Sequence, residues 1–304
     1  MGAVGWLIRS RLRARWAALA VIGLVAALGA TGTLVAAGAA DRTANAYSRY
    51  RERANVGDLT INPSLISREI DHVVRTLPGV EAVTSAALFA GAEPDQQPSA
   101  DPQAAAENES VQVLGSADGR YIDMDRPALL AGRLPTGRNE ALVNVEYAHA
   151  KHIHVGDVFS LGFQSRRDQL TNQGVPKLFA VDRLRVAGIA TLSDEVLPDG
   201  VYFRYRVIVS KDVAARYDCL PDAPGPNATF QESLARFAPA NCATSYIFYS
   251  LSIRGGARGV RTALDAFSKR SEALSAQLPK SLRAQGFEYS LVGKTVARDE
   301  QNRV

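Results

Sequence analysis

Three of the four histidines fall within HAKHIH, as His149, His152 and His154. Imidazoles spaced this way could hold a transition metal, since His149 and His152 share one helix face at i, i+3. No neighbouring carboxylate or cysteine supplies a further ligand, so the expected role is a solvated face. Asp123 and Asp125 flank Met124; the pair could bind a hard cation, and capping a turn is the reading the spacing favours. Gly293-Lys294-Thr295 matches the tail of a phosphate-binding loop, but that motif needs a glycine where Glu288 stands. Gly255, Gly256 and Gly259 lie between an expected strand and helix, where a dinucleotide would bind. Arg254 occupies the place of the first glycine, which leaves a glycine-rich turn. No G-x-S-x-G, H-E-x-x-H or C-x-x-C occurs. Nothing brings together a nucleophile, a base and an orienting group, so the expectation is a protein that is not an enzyme and holds no cofactor or metal.

The two cysteines, Cys219 and Cys242, bracket a Pro-rich segment expected to be loop. In an oxidising compartment they would close it as a disulfide; the alternative is two unpaired thiols. A staple of this loop size contributes roughly 3 kcal/mol in the loop-entropy account.

Compartment is set by the N-terminus. Positions 17–40 carry no charge. At about 1.5 Å per residue they span the ~30 Å apolar core of a bilayer. Arg9, Arg11, Arg13 and Arg15 precede them with no acidic residue in 1–16, which predicts a cytoplasmic basic tail and a main domain outside the cytoplasm of a cell-membrane protein. The alternative is a cleaved secretory signal ending at Ala37-Gly38-Ala39. Lys plus Arg is 35 against 31 acidic residues, a net +4 that those four arginines account for. The remainder is balanced, which argues against a nucleic-acid partner.

The rest of the chain reads as α+β. Positions 41–56 are expected to continue out of the membrane as a helical stalk, or else to form a solvated linker. A strand is expected at 58–61, then a helix capped by Asn62 with Pro63 in its first turn. Its buried face would be Ile66, Ile70, Val73 and Leu77, and Pro78-Gly79 would stop it before a strand at 80–89. Positions 91–109 are expected to be loop. Strands follow at 110–115, 141–143, 157–161, 178–189 and 201–210, with short helices at 145–152 and 211–217 and a loop at 164–177. A strand at 246–254 leads to a long helix with the stripe Val260, Leu264, Phe267, Leu274, Leu278 and Leu282, and a strand at 287–292 closes the pattern. The expected organisation is therefore a stalk and half an α/β lobe in 41–109, a β-rich insertion in 110–245, and the other half-lobe in 246–304.

Four stretches in this order resemble the N-terminal part of FtsX-like (MacB-type) ABC transporter permeases, actinobacterial ones in particular. They are the basic, Ala-rich segment 11–47; LPGVEAVTSAALFAG (77–91); DRPALLAGRLP (125–135) with NEALVNVEYAHAKHIHVGDVFSL (139–161); and IRGGARGVRTALDAF (253–267). The resemblance implies a Porter-like α/β lobe with an inserted Sabre-like β lobe outside the cytoplasm. It also implies a cytoplasmic ATPase subunit whose motion is relayed outward, and remaining permease spans or a second permease copy as membrane partners. No catalytic residue carries over, because the chemistry belongs to the ATPase. Members carry further spans after this domain; here no second apolar run of about 18 residues follows 41, so a fragment, split gene or truncated form is expected. The alternative is a single-pass anchored binding or sensor domain without transport activity.

Overall fold

The computed structural model describes residues 46–92, 111–171, 178–192 and 205–296, with Glu195 and isolated helical positions between Trp16 and Thr31. Arg9, Arg11, Arg13 and Arg15, the span expected over 17–40 apart from those positions, and most of the 91–109 loop lie outside the described residues. No helix among the described residues is long and apolar enough to cross a membrane. Contacts divide the chain into Met1–Tyr50 with Val304, and Arg51–Arg303. The second unit carries the fold.

The described strands are β1 (Leu59–Pro63), β2 (Val80–Ala92), β3 (Val111–Gly115), β4 (Ala128–Gly132), β5 (Glu140–Asn144), β6 (Val158–Gln164), β7 (Leu178–Thr191), β8 (Tyr205–Val209), β9 (Thr244–Ile253) and β10 (Leu291–Val296). The helices are α1 (Ala46–Ala54), α2 (Arg68–Arg75), α3 (Val145–Ala150), α4 (Arg166–Thr171), α5 (Lys211–Tyr217), α6 (Phe230–Phe237), α7 (Gly256–Gln277) and α8 (Lys280–Arg283).

The strands of the two chain ends interleave in the order β10-β1-β9-β2, every neighbouring pair antiparallel. β1-α2-β2 and β9-α7-β10 are thus two split β-α-β units, each with a strand of the other between its own. Their shared core contains Ile61, Ile70 and Val74 from the first unit and Leu251, Val260 and Phe267 from the second. Gly259 permits the close approach of α7 to the end of β9: a Cβ there would collide with the Arg254 carbonyl.

The same sheet continues through the middle of the chain as β2-β3-β8-β5-β7. β6 then pairs along β7 and returns to β2, where Gly91 lies opposite Phe163. Six strands therefore close on themselves as a small barrel. Alternate residues point inward and fill it: Ala87 and Phe89, Val111 and Val113, Ala141 and Val143, Leu161 and Phe163, Leu184 and Val186, Val207 and Val209. Tyr147 of α3 and Val213 and Tyr217 of α5 complete this second core. β2 belongs to both the barrel and the interleaved sheet, and β4 extends the sheet beyond β7.

Several local expectations need correction. Ser67, not Asn62, caps α2, its Oγ accepting from the Ile70 N–H at 3.4 Å. Asn62 and Pro63 remain in β1 opposite Gly293 and Leu291, with a register shift between them; a proline is tolerated at this strand end, where the ladder stops needing its missing donor. The long helix stops at Gln277 because Pro279 follows; Leu278 and Leu282 reach the same core from the helix end and from α8. Two expected loops contain helices. α4 starts at Arg166, and α6 carries a reciprocal capping box between Thr229 and Glu232. β4 had no sequence signal because it is exposed along its whole length and does not alternate.

The turn from β4 to β5 is closed by charge. Glu140 accepts from Arg133 at 2.5 and 2.8 Å and from the Gly137 N–H at 2.7 Å. Arg133 above all holds the carboxyl at about 2, against a usual value of about 4.3. A depressed folded-state value means stability is fully present above the unfolded value and lost as pH falls from about 4.5 toward 2. Melting curves across that range should show wild type losing an advantage over Glu140→Gln and the two converging near pH 2; parallel curves would remove the pair from acid stability.

Candidate functional site

Within the folded unit, the end of α1 from Arg51 onward leads into a turn that its own residues impose. Ala54 is buried, and Asn55 takes a left-handed conformation at φ 51°, which asparagine adopts more readily than most side chains. The Val56 N–H donates to the Arg51 carbonyl at 3.1 Å. Asp58 then fixes the chain to β9. Its N–H donates to the Leu251 carbonyl at 2.8 Å, its Oδ2 accepts from the Ile253 N–H at 2.9 Å, and its Oδ1 lies 3.8 Å from Arg51.

The Asp123–Arg126 turn grips the same point. The Arg126 N–H donates to the Ala54 carbonyl at 2.7 Å and the Asp125 N–H to the Asn55 carbonyl at 3.2 Å. Asn55 Nδ2 donates to the Asp123 carbonyl at 2.7 Å. The Asp125 carboxylate accepts from the Gly57 N–H at 3.3 Å and makes a short bond with the Ser250 hydroxyl. Helix end, turn and β9 are thereby joined within a few residues, so a displacement of residues 54–55 is passed to both the sheet and the turn. Hydrogen bonds to a charged group contribute about 1.5–3 kcal/mol each way they are broken. Asp125→Ala should therefore speed amide exchange at Gly57 and around 250–253 at least tenfold; unchanged exchange would show that Asp125 does not hold the junction.

The residues singled out for chemistry are placed as follows. Asp123 lies 3.4 Å from Arg120, and Asp125 serves the junction. His149, His152 and His154 are exposed, and His154 Nδ1 is 3.5 Å from Asp157. Among the described residues no group of three His, Cys, Asp or Glu could hold a metal. Gly293, Lys294 and Thr295 lie within β10, paired to Asn62, Ile61 and Thr60. Gly255, at φ 91°, is the N-cap of α7. Cys219 and Cys242 are joined as a disulfide with their Cα atoms 5.7 Å apart, inside the usual range.

Two elements of the site escaped the sequence reading. Asp58 falls in an expected strand, and its partners on β9 lie almost two hundred positions away, so no local pattern announces them. Arg166 begins a helix in a stretch whose polarity suggests loop.

No family model matches the chain, and no curated protein matches it. Similar solved structures include two extracellular or permease domains. One is the extracellular domain of the ABC-type transporter YknZ from Gram-positive bacteria, at 12% identity and a TM-score of 0.35, covering 77% of this chain and 100% of that one. The other is a domain of a candidate permease protein from Porphyromonas gingivalis, at 13% identity and a TM-score of 0.38, covering 78% of this chain and 90% of that one.

Proposed function

We propose that the chain is the N-terminal portion of an FtsX-like, MacB-type ABC transporter permease. In this reading 17–40 is its first span, oriented by Arg9, Arg11, Arg13 and Arg15. The folded unit lies outside the cytoplasm and relays the motion of a cytoplasmic ATPase to an outer substrate or partner. The observation that carries the reading is the chain path. The segment arriving at β1 and the segment leaving β10 are antiparallel neighbours, with Leu59 opposite Val296, and the arriving helix end is clamped to β9 and the 123–126 turn. Two tethers meeting at one edge suit a domain moved by its attachments. The order of the four family-like sequence stretches supports the same reading, and the interleaved end strands with a barrel between them agree with an α/β lobe carrying a β insertion. The remaining spans, or a second permease copy, would complete the machine.

The second reading is a single-pass anchored binding domain, favoured by the cavity described next. Affinity purification of the full chain, tagged at its C-terminus, from solubilised membranes separates the two. Co-purification of an ATPase and a multi-span protein is the result expected for the permease. A homogeneous protein bringing neither would overturn that reading and leave the binding domain.

A further inference from the structure

A cavity of about 260 Å³ lies between α4, α6, the start of β9 and the 282–290 segment. Its walls are mostly apolar, with Leu65, Leu234, Phe237 and Phe287 among them. Arg166 also lines it, at only 5% exposure. Arg166 is held from behind, its backbone N–H donating to the Cys242 carbonyl at 2.7 Å. Its Nη1 is buried and has no hydrogen-bond partner among the described residues. The cavity's carboxylate, Glu288, is exposed, and no ion pair joins it to Arg166 among the described residues. Burial lowers the guanidinium to about 10, so it stays charged at neutral pH.

An unpaired charge in an apolar recess is costly unless a counter-ion completes it. A guanidinium presents a fork of N–H donors that matches a carboxylate in two places at once, and the leucine and phenylalanine side chains of the wall suit a hydrocarbon body, with Ser64, Ser245 and Ser290 also in the lining. We propose that this cavity binds a carboxylate carried on a short apolar body, with Arg166 as its counter-ion. Such a group could come from a free acyl acid or from the C-terminus of an apolar peptide. The site stands whether or not the chain partners an ATPase.

The test uses the full chain in lipid nanodiscs, titrated calorimetrically with octanoate and with N-acetyl-Leu-Leu. Each is compared with its neutral counterpart, octanol or the peptide amide, and with empty nanodiscs. Saturable binding of one acid at least tenfold tighter than its neutral counterpart is expected, and the acid that binds identifies the source. Arg166→Gln should reduce that acid to the level of the neutral compound. Leu170→Asp places a carboxylate at the half-exposed rim of the cavity and should weaken the acid at least tenfold while leaving Arg166 in place, which keeps the test decisive if Arg166→Gln does not fold. Acids and neutral compounds binding alike, or neither acid saturating, would overturn the proposal.

Discussion

Phe267→Ala should cost the folded unit about 3–5 kcal/mol, the range for truncating a buried phenylalanine. Phe267 is 1% exposed on the inward face of α7, in the core that α7 shares with α2 and the interleaved strands. Those strands come from both ends of the domain, so the ring secures the contact on which the whole chain path depends. Domains of ordinary stability have about 5–15 kcal/mol in total, so this one change would remove about a fifth of it at the least. Urea unfolding of the full chain at an unchanged m-value is the measurement. Leu264→Ala, on the same helix but only partly buried, should cost clearly less. A loss below about 1 kcal/mol at Phe267 would mean the core collapses around the gap and that α7 does not organise the end strands.

Cys219→Ser and Cys242→Ser should each cost about 2–4 kcal/mol, since the bridge closes a separation of 23 residues. For a unit of this size that is a fall in Tm of roughly 5–15 °C. The pair is reinforced locally. The Cys219 N–H donates to Thr244 Oγ1 at 3.1 Å, and that hydroxyl donates to Asp218 at 2.9 Å. The Ala243 N–H donates to the Tyr217 carbonyl at 3.0 Å. The bridge therefore ties the end of α5 to the start of β9, just where Arg166 hangs from the Cys242 carbonyl. Wild type treated with reductant should melt with the variants. If reductant leaves Tm unchanged while two thiols become titratable, the bridge contributes nothing measurable.

The parts of the fold that could be read from residue order are those whose cause is local. Ile70 and Val73 lie on the buried face of α2 as expected, while Ile66 and Leu77 fall just outside the helix and are buried on the same core. Lys211–Tyr217 is the helix expected there. The short helix expected at 145–152 is α3, Val145–Ala150, and the structure shows Asn144 as its cap, accepting from the Tyr147 N–H at 3.1 Å. What could not be read depends on distant partners. Closure of the barrel rests on β6 reaching β2 at Gly91 and Ala92, and alternation in a strand says which face is buried without saying that the sheet returns to itself. The place of Asn62 was decided by β10, which keeps the strand going past the residue that looked like a cap. Thr229 and Glu232 form a local capping signal, set among prolines that give the segment the composition of a loop. The junction is intermediate: Asp125 was recognisable as a turn residue, but its bonds to Gly57 and Ser250 belong to the tertiary structure.

The pairing of β1 with β10 has a mechanical consequence. Hydrogen bonds between antiparallel strands run across the strand direction, and here the two outer ends, Leu59 and Val296, face each other. A load that separates these ends acts like the slider of a zip, falling on one rung at a time from Leu59 and Val296 inward. A load that carries both ends the same way strains no rung and moves the whole body. The edge formed by β1 and β10 is thus compliant to spreading and stiff to shared travel.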